Sequence, residues 1–138
     1  MQIHQEVTHR VLYADTDSMG VVYNAVYLVW FEKARTEWLR SRGLPYREVT
    51  MRGLSLPVTE ATLRFRDPAK YDELVRIQAA VTSVRSRGVT FSYTVRVGER
   101  LVAEGSTSHV AVQVATGHAV RFPDWLFQLL QGTADAGA

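Results

Sequence analysis

Hydrophobic residues recur every three or four positions across residues 25–42, a segment that contains neither Gly nor Pro. This spacing matches one face of an α-helix. The first half of the segment is apolar on nearly every side, which is typical of a helix buried by several neighbours. The sequence therefore predicts a long buried helix, with Asn24 as its cap and Gly43 as its C-terminal stop. The residues of the repeating face are Tyr27, Trp30, Phe31, Ala34 and Trp38.

After this helix the hydrophobic residues alternate with polar ones, which is the pattern of half-buried β-strands. A weaker strand at residues 2–12 precedes the helix, and a short helix over 123–131 with Asp124 as its cap follows the strands. Short connections between the strands make neighbouring strands antiparallel. The alternation predicts four strands, over 58–66, 74–85, 89–98 and 101–115.

A sheet with one apolar face needs a covering layer, and the long helix is the largest apolar element in the chain. The sequence thus predicts an α+β fold, a curved antiparallel sheet wrapped around a long central helix. Residues 1–131 are expected to form one domain, because a chain of 138 residues suits one domain and contains no repeat or linker. Residues 132–138 are expected to be a flexible tail, since they are small and nearly uncharged.

The composition excludes several classes of chemistry. The chain has no cysteine, which rules out disulfides, thiolate zinc sites and a cysteine nucleophile. Its net charge of +2 is too small for a nucleic-acid binder that depends on general electrostatic attraction. No stretch suits a transmembrane helix, and the N-terminus lacks the apolar segment of a signal peptide. A cytoplasmic protein with no nucleic-acid partner and no membrane insertion is the simplest expectation.

The densest group of chemically useful side chains precedes the long helix. Asp15 and Asp17 lie two residues apart, just before Gly20 and the helix N-terminus. Free N–H groups at a helix N-terminus suit a developing oxyanion, and a nearby carboxylate can act as nucleophile or general base. The alternative is that both aspartates only shape turns, which Asp does often. A metal site is not expected, because further oxygen ligands are missing and the four histidines are scattered as ordinary surface or strand residues.

A second candidate is the basic turn Arg85-Ser86-Arg87-Gly88, with Thr90 just beyond it. Guanidinium groups match phosphate oxygens in geometry and charge, so this turn could bind phosphates. The alternative is a solvated hairpin tip, because charged residues are common at exposed turns.

Two stretches of the chain form motifs, namely Tyr13-x-Asp15-Thr-Asp17-x-x-Gly20-x-Val22-Tyr23-x-x-x-Tyr27 continuing to Phe31-Glu32-x-Ala34-Arg35-x-Glu37, and Asp67-Pro68-x-x-Tyr71-Asp72-Glu73. Together they resemble the 4-hydroxybenzoyl-CoA thioesterase-like hotdog family, and most closely its Tol-Pal-associated acyl-CoA thioesterase branch. The resemblance covers nearly the whole chain. It implies a hotdog fold, a homo-oligomer that is a dimer or a dimer-of-dimers tetramer, and active sites at subunit interfaces.

The resemblance also implies roles for individual residues. Asp17 matches the catalytic carboxylate, and the backbone N–H of Asn24 matches the donor to the thioester oxygen. The turn from Arg85 to Gly88, with Thr90, matches a region that holds CoA phosphates in some members. Asn24 departs from the His or Tyr usual in two branches, which leaves substrate choice open. Motif residues expected to contact substrate are Gly20, Val22, Tyr23 and Tyr27.

The activity implied is hydrolysis of an acyl-CoA thioester to a free acid and CoA, with Asp17 attacking the carbonyl or activating water. Neither a metal nor a separate cofactor is expected, because a thioester is already electrophilic and has a good leaving group. Two alternatives stay open: a hotdog dehydratase acting on hydroxyacyl thioesters, which would normally use a His as base, and a non-catalytic acyl-CoA-binding protein. The acyl group and the pathway also stay open.

Overall fold

The computed structural model describes residues 3–131. The predicted tail, residues 132–138, lies outside the described residues. In chain order the elements are β1 (His4–Arg10), a 3₁₀ turn (Tyr13–Asp15), α1 (Val26–Ser41), α2 (Tyr46–Met51), β2 (Leu54–Ser55), β3 (Val58–Phe65), β4 (Leu74–Arg85), β5 (Gly88–Val97), β6 (Arg100–His109), β7 (Ala111–Gln113), β8 (His118–Val120) and α3 (Asp124–Gln131).

Five strands form one antiparallel sheet in the order β1-β4-β5-β6-β3. Its centre consists of two hairpins with two-residue turns, one between Arg85 and Gly88 and one between Val97 and Arg100. Alternate residues of β5 are buried along most of the strand, as the hydrophobic pattern predicts. The strand β3 lies at one edge of this sheet, and most of its residues are exposed.

The helix α1 packs against the sheet through its predicted apolar face, and the predicted helix over 25–42 is confirmed to within one residue at each end. Trp30, Phe31 and Trp38 are each at most 2% exposed. The ring of Phe31 stacks on Tyr93 with 4.1 Å between centroids, and Trp38 meets Phe91 edge to face at 5.5 Å. These contacts confirm the predicted α+β fold, with the sheet wrapped around a long central helix.

Gly105 in β6 lets the sheet approach the helix closely. A Cβ at this position would lie 2.2 Å from the carbonyl oxygen of Thr62 and 2.8 Å from a ring carbon of Phe31. Both distances are far below van der Waals contact, so a side chain here would push apart β3, β6 and the central aromatic stack.

The two helix caps predicted from the sequence are wrong. The residue before α1 is Ala25, and no side chain within residues 3–131 caps the first turn; Asn24 contributes only its carbonyl oxygen, to the N–H of Tyr27 at 3.3 Å. Asp124 is the first residue of α3, where the carbonyl oxygen of Pro123 accepts from the first turn. A polar residue near a helix start does not reveal whether its backbone or its side chain does the capping.

The strand predicted over 101–115 is two strands in different sheets. The chain leaves the main sheet after His109, and β7 pairs with β2 and β8 in a small second sheet. Val110, Val112 and Val114 alternate with other residues just beyond this point, and this strand-like spacing does not mark the change of sheet. The short elements α2, β2 and β8 were not predicted, because segments of two to six residues carry little periodicity.

Candidate active site

Backbone hydrogen bonds hold the segment that contains the predicted catalytic carboxylate, residues 11–25, here called the Asp17 loop. The N–H of Asp17 donates to the carbonyl of Val21 at 2.9 Å, and the N–H of Gly20 donates back to the carbonyl of Asp17 at 2.9 Å. Gly20 has a φ of +80°, which glycine adopts without steric cost. The N–H of Val22 donates to the carbonyl of Ala69 at 2.8 Å, so the loop is fixed to the segment before β4.

The two aspartates of the loop have different partners. One side-chain oxygen of Asp15 accepts from the N–H of Leu12 and lies 2.8 Å from Nε2 of His9. Asp17 is exposed, and its Oδ1 accepts from the N–H of Met19 at 2.8 Å. Its second oxygen, Oδ2, has no hydrogen-bond partner within residues 3–131. The carboxylate of Asp15 is therefore used by the fold, whereas the carboxylate of Asp17 has an oxygen available to a ligand.

A cavity of about 300 Å³ adjoins this loop at the start of α1. Asn24 lines it, and the backbone N–H of Asn24 has no acceptor within residues 3–131. Asn24 lies two residues before α1, beside the partly positive N-terminal end of the helix, so its N–H is suited to a developing negative charge. The residues that line the cavity are Val21, Val22, Asn24, Tyr27, Phe65, Arg66, Asp67 and Pro68.

Tyr27 forms the inner wall of this cavity. Its side chain is 2% exposed and meets Phe65 edge to face with 5.3 Å between ring centroids. Burial raises the pKa of the Tyr27 hydroxyl above its ordinary value. Tyr27 therefore contributes an apolar wall and a neutral hydroxyl rather than a charged group.

Two arginines near the cavity are engaged by neighbouring carboxylates. Arg100 donates to Asp67 at 2.5 Å and to Glu73 at 2.9 Å, and these contacts, led by the one to Asp67, raise the pKa of its guanidinium. Arg66 pairs with Glu104. These pairs brace the segment before β4, to which the Asp17 loop is bonded.

A second cavity, of about 400 Å³, lies further along α1 and contains charged side chains. Glu32, Arg35 and His109 line it together with apolar residues. Glu32 and Arg35 also line a neighbouring cavity of about 250 Å³, beside Leu28 and Val29 on the exposed side of the helix. The outer face of α1 thus borders a groove that runs between the helix and the edge strand β3.

A chain of buried hydrogen bonds closes the wall of the larger cavity. Nδ1 of His109 lies 2.9 Å from the carbonyl oxygen of Leu56, which can only accept, so Nδ1 carries the proton. Nε2 of the neutral ring then accepts from the hydroxyl of Thr107 at 2.8 Å, and Thr107 accepts from Tyr93 at 2.5 Å. Burial lowers the pKa of His109 to about 4 and raises that of Tyr93. His109 is a strand residue, as expected, but a buried one.

The structure brings part of the predicted site together within one chain. Three of the predicted residues line the first cavity, namely Val22, Asn24 and Tyr27. The other two, Asp17 and Gly20, lie in the Asp17 loop that adjoins it. Tyr23 lies between them with an exposed side chain, and its N–H donates to the carbonyl of Asp15 at 2.8 Å.

The basic turn lies elsewhere in the chain. Val21 of the Asp17 loop bridges to Lys70, just before the start of β4, whereas Arg85 to Gly88 form the turn at the other end of that strand. A strand of 12 residues spans roughly 36 Å at about 3.3 Å per residue. The carbonyl of Ser86 accepts from the N–H of Phe122, and the hydroxyl of Thr90 contacts Ser108.

His9, Phe65 and Pro68 were not predicted as site residues from the sequence. Phe65 and Pro68 reach the cavity through the sheet, from positions far along the chain from Asp17. His9 contacts Asp15 across a turn, and no fixed spacing marks such a pair. The one available signal was the alternation of β1, which puts His9 on the inward face of that strand.

Within residues 3–131, no group of three or more His, Asp or Glu side chains is arranged to hold a metal ion. The helices of that part of the chain are all too short or too polar to cross a membrane.

Residues 11–130 match the thioesterase-like superfamily. The chain belongs to this family. Its membership confirms the resemblance noted in the sequence, and the sheet wrapped around α1 is the family's hotdog fold.

Individual relatives of this thioesterase-like protein cover most of both chains. The crystal structure of the hypothetical protein TT1821 from Thermus thermophilus is 39% identical, with a TM-score of 0.88 over 94% of this chain and 96% of that one. The acyl-CoA thioesterase YbgC of Haemophilus influenzae is 31% identical over 117 residues, 83% of this chain and 85% of that protein. The similarity to YbgC fits the predicted branch.

A further relative has a different named substrate. The 1,4-dihydroxy-2-naphthoyl-CoA hydrolase of Thermosynechococcus vestitus is 30% identical over 123 residues, 88% of this chain and 82% of that protein. The superfamily members similar to this chain thus include proteins named for acyl-CoA in general and for one aromatic acyl-CoA.

Proposed function

We propose that the protein hydrolyses acyl-CoA thioesters to a free carboxylic acid and CoA. One observation carries the proposal: within residues 3–131, one short loop holds both a carboxylate oxygen of Asp17 without a hydrogen-bond partner and the N–H of Asn24 without an acceptor, and Asn24 lines the cavity that adjoins this loop. A carbonyl carbon needs an attacking or base-activating group on one side and a donor to its oxygen on the other. The names of the relatives support the same reaction.

Hydrolysis of the thioester would proceed by one of two routes. In the first, Asp17 attacks the carbonyl carbon, the C–S bond breaks, CoA leaves as a thiol after protonation, and water hydrolyses the resulting mixed anhydride. In the second, Asp17 takes a proton from water, the water oxygen attacks the carbonyl carbon, the C–S bond breaks, and the proton passes from Asp17 to the leaving thiolate of CoA. In both routes the N–H of Asn24 stabilises the carbonyl oxygen as it becomes negative. The proposal needs neither a metal nor a separate cofactor.

The proposal includes a homo-oligomer, either a dimer or a pair of dimers. In the part of the chain that the structure describes, no strand pairs with the outer edge of β3, and the exposed apolar side chains of Leu28 and Val29 on α1 line a cavity with residues of β3. Unpaired edges with exposed apolar neighbours favour sheet continuation into a second copy. The turn from Arg85 to Gly88 lies at the end of β4 that is remote from the Asp17 loop, so in this proposal a second copy supplies the phosphate contacts to each site.

Light scattering tests the oligomer. We expect at least twice the chain mass of 15.6 kDa at micromolar concentration. Val29→Glu should shift the population toward monomer, because it buries a charge in the proposed interface. Lys33→Glu is the matched control, since Lys33 lies on the same helix but reaches toward Thr8 of β1. A monomeric wild type would contradict this part of the proposal.

Hydrolysis itself is tested with a thiol reagent and a panel of aliphatic and aromatic acyl-CoA substrates. Release of CoA is the expected result, and the best substrate identifies the acyl preference. Tight binding without turnover would instead support the acyl-CoA-binding alternative. Addition of water to an enoyl-CoA would support the dehydratase alternative, which the geometry does not favour because His9 contacts Asp15 and not Asp17. A cytoplasmic location belongs to the proposal, since acyl-CoA is made and consumed there.

A further inference from the structure

We infer that His9 is a positioning residue for the proposed reaction: by binding Asp15, it fixes both the carboxylate of Asp17 and the N–H of Asn24. The inference rests on the proposed function and concerns a residue that no motif of the chain contains. His9 lies on β1, outside the cavity, so any effect on the reaction must pass through its contacts.

The contact between His9 and Asp15 is short and shielded. Nε2 of His9 lies 2.8 Å from Oδ2 of Asp15, and the two side chains are 22% and 15% exposed. A carboxylate oxygen only accepts hydrogen bonds, so Nε2 is the donor. The His9 ring also packs against the buried Trp30 of α1, with 5.5 Å between centroids. One side chain therefore joins β1, the Asp17 loop and the helix.

Asp15 in turn holds both ends of the Asp17 loop. The oxygen that His9 contacts also accepts from the N–H of Leu12, where the loop begins, at 2.8 Å. The backbone carbonyl of Asp15 accepts from the N–H of Tyr23, where the loop ends, at 2.8 Å. Asp17 follows two residues after Asp15, and Asn24 directly follows Tyr23. A displacement of Asp15 would therefore move the attacking carboxylate and the oxyanion donor together.

Positioning of this kind affects turnover more than binding. A misplacement of about 1 Å at a reacting group can cost on the order of 100-fold in rate. The loss of one supporting hydrogen bond should displace the loop by less than that, because the bonds from Leu12 and Tyr23 remain. We therefore expect an effect on the order of 10-fold in kcat with KM nearly unchanged.

Three variants test the inference. His9→Leu keeps the bulk and removes the donor, whereas His9→Gln retains an N–H that can reach Asp15. His4→Leu is the matched control, because His4 lies on the same strand but faces solvent. His9→Leu should lower kcat on the order of 10-fold with KM within about twofold, and His9→Gln should restore kcat to within about threefold of wild type. His4→Leu should leave both constants unchanged.

Hydrogen exchange gives a readout that does not depend on activity. The N–H of Tyr23 should exchange on the order of 10-fold faster in His9→Leu than in wild type, His9→Gln or His4→Leu. If His9→Leu does not fold, His9→Asn makes the same comparison, because its amide is too short to reach Asp15.

Either of two results would overturn the inference. In the first, His9→Leu changes neither kcat nor the exchange rate of the Tyr23 N–H. In the second, His9→Leu and His9→Gln lose kcat equally. Failure of the proposed function is a separate result. It would appear as a wild type that cleaves no acyl-CoA, or as full activity in Asp17→Asn, whatever the His9 variants do.

Discussion

Asp15 shares one carboxylate oxygen between His9 and the N–H of Leu12, whereas Asp17, two residues later, leaves an oxygen without a partner within residues 3–131. The division follows from the backbone. Tyr13–Asp15 form a 3₁₀ turn that aims Asp15 back at β1, and the turn from Asp17 to Gly20 directs the next carboxylate outward. Two residues of the same type at close spacing thus have separate uses, one structural and one available for chemistry.

Replacement of Asp17 tests the assignment on which the proposed function depends. Asp17→Asn keeps the shape and the acceptor for Met19 but removes the charge needed to attack carbon or take a proton. We expect kcat to fall on the order of 100-fold or more with little change in KM. Asp15→Asn is the control, because its amide oxygen still accepts from Leu12 and His9. Its kcat should fall by less than about 10-fold. This variant should lower thermal stability more than it lowers kcat. Near-wild-type turnover in Asp17→Asn would contradict the carboxylate mechanism.

The basic turn provides a second prediction. Arg85→Ala combined with Arg87→Ala should raise KM for acyl-CoA more than it lowers kcat, because phosphate contacts hold the ground state and the transition state alike. The same variant should cleave a truncated thioester without the nucleotide at nearly the wild-type rate. Equal losses on both substrates would indicate that the arginines support the fold of the hairpin instead.

Hybrid oligomers test whether the turn acts across subunits. Mixed assemblies of Asp17→Asn chains with Arg85→Ala/Arg87→Ala chains contain sites that join an intact Asp17 from one chain to intact arginines from the other. If the sites are shared, a fraction of the activity with wild-type KM should return on mixing. If each site belongs to one chain, no wild-type site forms and mixing restores nothing.

Long periodic segments account for the part of the fold that the sequence predicted. The helix over 25–42 and the hairpins around residues 86–87 and 98–99 follow from strong patterns and small turn residues. The alternating residues Val110, Val112 and Val114 predict a strand but could not reveal that the chain changes sheets after His109, because strand spacing does not specify the pairing partner. The site was predicted where neighbours in sequence are neighbours in space, as with Asp17 and Asn24.

Contacts that depend on the folded sheet could not be predicted. Phe65 reaches the cavity from the edge strand, and Arg100 reaches Asp67 from 33 residues away. Arg85 was expected at the Asp17 site only because the chain resembles the thioesterase family. The length of β4 separates them within one chain, which a local motif does not encode.

Gly105 provides a prediction about stability. Gly105→Ala should lower the free energy of unfolding by at least about 2 kcal/mol, because its Cβ meets the Thr62 carbonyl at 2.2 Å and a rigid aromatic ring. Gly88→Ala is the matched control in the neighbouring strand, since its Cβ would find its nearest atom, the carbonyl oxygen of His109, at 3.7 Å. Denaturant titration of both variants is the measurement, and similar small losses would show that β6 shifts to make room.

Because His109 is buried, the free energy of unfolding should fall as the pH decreases. Burial lowers its pKa from 6.5 to about 4, so between these values the unfolded chain takes up a proton that the folded chain does not. The contribution of neutral His109 to the free energy of unfolding is therefore complete above pH 6.5 and is lost as the pH falls toward 4. It amounts to on the order of 3 kcal/mol for a shift of this size.

The measurement is the free energy of unfolding of wild type and His109→Gln at several values between pH 4 and pH 7.5. Gln stays neutral throughout and retains a donor and an acceptor for Leu56 and Thr107. We expect the variant to be less stable than wild type at pH 7, because it fits the buried site less well, and the difference to shrink steadily as the pH falls. A difference between wild type and His109→Gln that stays constant across this range would show that His109 titrates alike in both states.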